Sequence, residues 1–414
     1  MKFPDVSTLS SLEINIMSYY RRLILPRRTV VRGLLSLGAF GVTSQLWTGC
    51  AASSTSSTNS SSPSSPDQEP MTVGFIYVGP KDDYGYNQAH AAAAANMASA
   101  FPGIKLVEEA SVPETTAVQE TMRNMIEQDD AKVIFPTSWG YFDPHSLKIA
   151  QEYPQVQFLH PNHPLEPSHP KNVGSYFSSL MEPAYLTGIV AASMSKTGKL
   201  GFVIPKPIPV VLQEVNSFTL GAKSINPSII VQAIFTGDWA LPLKEAEATN
   251  SLVDQQADVI ITRVDSPKTV ITTAEQRGVY SCGYHVDERS IAPKGFLTGV
   301  EWNWEAIYKN YAQMFREGKT LMNEGVARTL VGGLKEGFSK TSDYGPAVTP
   351  EAKAAVENAK QKLVSGELDI FAGELKNNKG QVVIAAGESY KIGDPRLNSI
   401  DWLVEGVEGD ATTS

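Results

Sequence analysis

The chain has 414 residues, 42% of them hydrophobic, and a formal net charge of −9. That length exceeds one small core and suits two domains of ordinary size. The acidic balance argues against nucleic acid or an anionic lipid surface as partner, and Cys282 is the one cysteine besides Cys50, so no intrachain disulfide is expected.

Residues 1–49 read as an export signal. Arg27-Arg28-Thr29-Val30-Val31-Arg32 precedes a short apolar run and then Trp47-Thr48-Gly49-Cys50. The run is shorter than the roughly 20 residues a membrane span needs. The segment resembles a twin-arginine bacterial lipoprotein signal, with Cys50 as lipid acceptor and first mature residue. Trp47 stands where the usual motif has Leu, and Leu46 lies one position further back. Residues 50–70 then form a Ser-rich tether. This predicts an extracytoplasmic protein, lipid-anchored to the outer leaflet of the cytoplasmic membrane.

From residue 71 the pattern alternates apolar strands with helices. Strands are predicted over 72–78, 104–112, 131–135 and 155–160, and helices over 87–101, 116–128 and 143–152, the last opened by Asp143-Pro144. A helix over 182–195 leads to a second round. Its strands are 199–204, 229–235, 258–263, 279–284 and 296–300; its helices are 213–224, 243–256 and 268–277. A helix over 304–318 is expected to pack back on the first lobe, and another spans 350–365. Near-continuous apolar strands between helices predict parallel sheets covered on both faces. The expected fold class is therefore α/β and bilobed, two doubly wound parallel-sheet lobes joined by a hinge. Lobe 1 spans 71–185, with part of 300–330 returning to it, and lobe 2 spans 186–300. Segments 330–400 cover both lobes, and 401–414 is a tail.

Ligands of open parallel sheets sit beyond the carboxyl ends of the strands. The loops there carry Asp83-Tyr84-Gly85-Tyr86-Asn87, Trp139-Gly140-Tyr141, Gly237-Asp238-Trp239, Asp265-Ser266, His285-Val286-Asp287 and Trp302-Asn303-Trp304. Loops favour small polar residues, so repeated Trp and Tyr suggest flat faces offered to a flat ligand. Adjoining Asp and Asn can accept from ring N–H or amino groups, or bind ribose hydroxyls. The residue pattern thus points to capture of a planar, polar heterocycle. Asp83, Asp265 and Asp287 also suit helix capping, and Trp302 and Trp304 read as core or hinge packing. Gly332-Gly333-Leu334-Lys335-Glu336-Gly337 is a turn and lacks the features of a phosphate loop. His160, His163 and His169 lack the spacing and partners of a metal site, and no metal or cofactor is expected.

The motifs Gly74-Phe75-Ile76-Tyr77-Val78-Gly79-Pro80, Asp83-Tyr84-Gly85-Tyr86-Asn87-Gln88, Gly140-Tyr141-Phe142-Asp143, Asn172-Val173-Gly174-Ser175-Tyr176, Tyr185-Leu186-Thr187-Gly188 and Lys335-Glu336-Gly337-Phe338 resemble the basic membrane protein (BMP, PnrA-like) family over roughly 71–366. The resemblance implies a type I periplasmic-binding-protein fold. It also implies a non-catalytic substrate-binding lipoprotein of an ABC importer, taking purine nucleosides or, in a branch this chain is similar to, purine bases such as adenine. By the same resemblance Tyr86 and Trp239 stack on the base from opposite lobes, and Asp83 and Asn87 surround it. His285 takes the place of an acidic ribose-binding residue, with Asp287 two positions later, which favours a free base. Trp139 and Asp265 join the candidate ligand set from their location. The implied partners are an ABC permease and its ATPase, and the chain is expected as a monomer.

Two other classes stay open at this point. One is a ligand-sensing binding protein that signals to a membrane receptor, or a binder of another flat heterocycle such as a flavin. The other is a nucleoside or glycoside hydrolase, for which no nucleophile–base pair has suitable spacing.

Overall fold

Residues 70–411 are described by a computed structural model of the chain; the export signal, Cys50 and the tether lie outside the described residues. The first five strands are β1 (Met71–Ile76), β2 (Ile104–Glu109), β3 (Ala131–Pro136), β4 (Gln157–Pro161) and β5 (Val173–Ser178). Helices α1 (Tyr86–Ala100), α2 (Thr116–Glu127) and α3 (Leu147–Glu152) connect the first four of them. All pair in parallel, and β2, at the sheet edge, is correspondingly the least buried. β5 was not anticipated; it follows a Pro- and His-rich loop, and its Gly and Ser residues weaken the apolar signal. Its preceding Asn172 holds the turn by donating from Nδ2 to the carbonyls of Ala150, Tyr153 and Val156 at 3.0, 3.2 and 2.8 Å. Asp143 has non-helical backbone angles and regular α-helix starts only at Leu147, so the expected helix opening at Asp143-Pro144 is corrected.

After α4 (Met181–Met194) the second sheet is built from β6 (Lys199–Ile204), β7 (Ile230–Phe235), β8 (Val259–Thr262), β9 (Tyr280–Tyr284) and β10 (Phe296–Trp302). The helices between them are α5 (Pro209–Ile225), α6 (Pro242–Asp254) and α7 (Lys268–Arg277). α4 crosses α5 so closely that a Cβ on Gly188 would lie 2.0 Å from the Phe218 carbonyl oxygen, and one on Gly221 2.0 Å from that of Tyr185. Only glycines permit that approach.

The next helix, α8 (Trp304–Arg316), returns to the first lobe. Its buried residues Trp304, Ile307, Tyr308, Tyr311, Ala312 and Phe315 recur at helical spacing along one face. Tyr308 meets the stacked pair Phe75–Phe135 edge-on at 4.9 and 5.0 Å. Burying each such aromatic ring contributes about 1.5–3 kcal/mol. β11 (Thr329–Gly332) then joins the first sheet beside β5, and β12 (Ser339–Thr341) pairs antiparallel with β10 in the second. The chain therefore passes between the sheets three times, before β6, before β11 and before β12. These passages are tied together: Ser178 Oγ donates to the Phe338 carbonyl at 2.7 Å, Asn303 Nδ2 to Gly337 at 2.7 Å, and the Leu334 amide to Glu182 Oε2 at 2.7 Å.

α9 (Pro350–Ser365) starts with Thr349 Oγ1 accepting from the Ala352 amide and stops at Gly366 in the left-handed conformation. Two small hairpins follow, β13 (Phe371–Ala372) with β16 (Ser389–Tyr390), and β14 (Leu375–Lys376) with β15 (Val382–Ile384). Residues 401–411 are not the expected tail. Leu403, Val404 and Val407 are buried, and β17 (Val407–Glu408) adds a parallel edge strand beside β7.

Candidate functional site

The two lobes meet along a seam formed by loops at their strand ends. The Tyr86 amide donates to the Asp265 carbonyl at 3.2 Å, and Ser266 Oγ donates to the Asp83 carbonyl at 2.8 Å. The Lys268 ammonium sits 4.3 Å from the centre of the Tyr84 ring. Gly85 is the closest approach: a Cβ there would fall 1.9 Å from the Asp265 carbonyl oxygen.

On the lobe 1 side, Asp83 is a loop organiser. Its carboxylate accepts from the amides of Gly85, Asn87 and Gln88 at 2.9, 3.1 and 3.0 Å, and from Asn87 Nδ2 at 2.7 Å. Asn87 Oδ1 in turn accepts from the Gly79 amide at 3.2 Å. Asp83 and Asn87 are therefore engaged with each other and with their own loop. Tyr86 is half-buried; its hydroxyl donates to the Thr137 carbonyl at 2.7 Å, and its ring meets His90 and His285 edge-on at 4.5 and 5.6 Å. Burial, then the charges of Asp265 and Glu114, push the Tyr86 phenol upward.

The lobe 2 side groups Trp239, Asp265 and His285 around a buried charge cluster. The Asp265 amide donates to the Trp239 carbonyl at 2.8 Å. Arg263, at the end of β8, lies between two rings, 5.4 Å from the centre of Trp239 and 5.3 Å from that of Tyr284. It pairs with buried Glu214 at 3.3 Å, and the Tyr284 hydroxyl donates to the same carboxylate at 2.9 Å. Burial raises Glu214, against the pull of Arg263 and Tyr284. Asp265 keeps 40% of its side chain exposed, yet burial of the remainder pushes its carboxyl up to about 7; Arg263 opposes this, and Asp83, Asp238 and Glu245 add to it. His285 has a positive φ of 75°, uncommon for a residue with a side chain, and burial holds its imidazole well below the usual value.

His90, Arg263, Glu214 and Tyr284 were not identified from the sequence. His90 carried no signal beyond being a lone imidazole in an Ala-rich helix. Glu214 and Arg263 are 49 positions apart, so only folding makes them a pair. The seam thus assembles Tyr86, Asp265, His285 and, through Arg263 and Asp265, Trp239. Trp139 is elsewhere: it is 59% exposed and its ring lies on His163 of its own lobe at 4.5 Å. The Asp287 carboxylate is bound by Arg289, which also reaches Asp343 at 3.1 Å. Among the described residues no ring contact joins Tyr86 to Trp239, and no cluster of His, Cys, Asp and Glu has metal-binding form.

A family model described as ABC transporter substrate-binding protein PnrA-like matches residues 71–372. The chain belongs to this Bmp family. It is 32% identical to a purine-binding protein of Brucella abortus over 342 residues, covering 82% of this chain and 94% of the relative. It is 28% identical to a Haloferax volcanii protein named for glucose binding by an ABC transporter, covering 83% and 81%. A solved ABC transporter solute-binding protein from Conexibacter woesei has the same fold at a TM-score of 0.61 and 22% identity, covering 72% of this chain and 97% of that one. The Bmp-family chain is thus a bilobed α/β protein of the type I solute-binding fold. It is an extracytoplasmic component of an ABC transporter that binds a small molecule for delivery to a permease, and not an enzyme. Among the described residues no helix is long and apolar enough to cross a membrane.

Proposed function

We propose that the seam between the lobes captures a purine base of adenine type, with the aromatic groups Tyr86 and Trp239 contributing from opposite lobes. The observation that carries this reading is the Tyr86 ring lying against His285, beside the half-exposed Asp265 carboxylate and the Arg263–Trp239 stack. Aromatic faces next to neutral imidazole and carboxylate groups suit a flat ring with both donor and acceptor edges. The purine-binding relative supports the same ligand class. With His285 in place of a ribose-binding acid, the reading favours a free base over a nucleoside. Of the expected set, Asp83 and Asn87 act by shaping the Tyr86 loop, while Trp139 lies on His163 and Asp287 is held by Arg289.

Closure is a hinge motion about the three tied passages, stabilised by ligand contacts that exist only when the lobes meet. Calorimetry of the full chain against adenine, hypoxanthine, adenosine, riboflavin and glucose tests the reading. Adenine should bind and raise the melting temperature; a response to glucose or riboflavin with none to any purine overturns it. We further propose that Cys50, outside the described residues, carries the lipid anchor after export. Cys50→Ser should move the protein from the membrane fraction to the soluble one, and retention would point to another anchor.

A further inference from the structure

His285 is 3% exposed, and its Nε2 makes no hydrogen bond in the protein. Its other ring nitrogen, Nδ1, lies 2.9 Å from Trp302 Nε1. An indole N–H can only donate, so Nδ1 must be the bare, accepting nitrogen. Burial, with Arg263 and His90 acting in the same direction, keeps the imidazole neutral. The single ring proton is therefore on Nε2. The Val264 backbone acts in the opposite direction, favouring a proton on this ring, and is outweighed by burial.

The donor that fixes this tautomer is itself held. Trp302 stacks on Trp304 at 4.8 Å and 9°, and Trp304 stacks on His90 at 4.5 Å. Trp302 ends β10 beside the passage into α8. Asp265 Oδ1 is 4.0 Å from His285 Nε2, too far for a hydrogen bond between them. A buried donor without a partner is costly, and the left-handed backbone that aims His285 is the kind of strain that collects at binding sites.

We propose that Trp302 is a positioning residue that locks His285 as the Nε2–H tautomer, so that lobe 2 offers one N–H donor beside the Asp265 carboxylate acceptor to the edge of a bound heterocycle. This rests on reading the seam as the purine site. Such a pair matches an edge on which an accepting ring nitrogen adjoins an N–H donor, as on adenine. With Asp265 ionised, above about pH 7, an edge with two acceptors or two donors leaves one protein group unpaired.

The test uses the full chain labelled with ¹⁵N-histidine. In the unmodified protein near neutral pH, His285 should show an unprotonated Nδ1 and a protonated Nε2. In Trp302→Phe, which keeps an aromatic ring but no donor, the two resonances should move towards a mixture of tautomers, and adenine affinity should fall about tenfold. His285→Gln keeps an N–H donor and should stay within about threefold, whereas His285→Leu should lose at least about tenfold. A protonated Nδ1 in the unmodified protein, unchanged imidazole resonances in Trp302→Phe, or undiminished adenine binding by His285→Leu overturns the proposal. If the unmodified protein binds no purine, the function reading fails, while the spectra still decide the tautomer.

Discussion

Two acidic residues of the seam, Asp83 on lobe 1 and Asp265 on lobe 2, are used in opposite ways. On lobe 1, Asp83 accepts four hydrogen bonds, from the amides of Gly85, Asn87 and Gln88 and from Asn87 Nδ2, while Asn87 Oδ1 holds the Gly79 amide. On lobe 2, the buried atoms His285 Nε2 and Arg263 Nε have no hydrogen-bond partner, and Asp265 is crowded by other carboxylates. A saturated polar group shapes the site, whereas an unsaturated buried one has binding capacity left for a ligand. An Asp just after a strand is therefore ambiguous until its partners are known.

The largest effect expected from breaking this arrangement is at Gly85. Gly85→Ala puts a methyl group into the Asp265 carbonyl oxygen, and overpacking of about 1–3 kcal/mol should weaken adenine binding about 5- to 150-fold. Small-angle scattering should then show lobes that stay apart with ligand present; normal closure would mean that the close approach is dispensable. Next come the rings. Tyr86→Ala and Trp239→Ala should each lose at least about tenfold in calorimetry while the fold is retained, and unchanged affinity in both would remove the aromatic basis of the site.

Asp83→Ala sharpens the contrast between the walls. Losing its grip on the α1 amides should lower stability by about 1–2 kcal/mol, read as a lower melting temperature without ligand. Unchanged stability with abolished binding would make Asp83 a ligand contact and erase the distinction. The smallest effect is the pH dependence of Asp265, whose surroundings include Arg263, Asp83, Asp238, Glu245 and His285. Its carboxyl titrates near 7 when folded against an ordinary 3.8, so protonation favours the folded state. That stability is fully present below about pH 4 and is lost as pH rises through about 7. Asp265→Asn should thus raise the melting temperature of unliganded protein at pH 8 and leave it unchanged near pH 4; an equal effect at both would place the folded carboxyl at its ordinary value.

Much of the scaffold could be read from local pattern. The apolar runs of β1, β3, β6 and β8 and the amphipathic face of α8 declare their periods within a few residues. Elements defined by remote pairing could not. β17 is two residues long and has no period, so it is a strand only because β7 lies beside it. β5 was obscured by its Gly and Ser residues, although the Asn172 motif before it stood out.

The site divides along the same line. Chain order placed Tyr86, Trp239, Asp265 and His285 in strand-end loops of parallel sheets, which face the cleft, and the family resemblance supplied the expected roles of Tyr86, Trp239 and His285. Hydrogen-bond valence was decided only by the fold: Asp83 saturated by its own helix, His285 given a bare Nδ1 by Trp302, Arg263 neutralised by Glu214. Periodicity is a property of neighbours along the chain, so the sequence determines it alone. Protonation, tautomer and unsatisfied donors depend on which groups lie within a few ångströms, and those groups come from segments that only tertiary packing brings together.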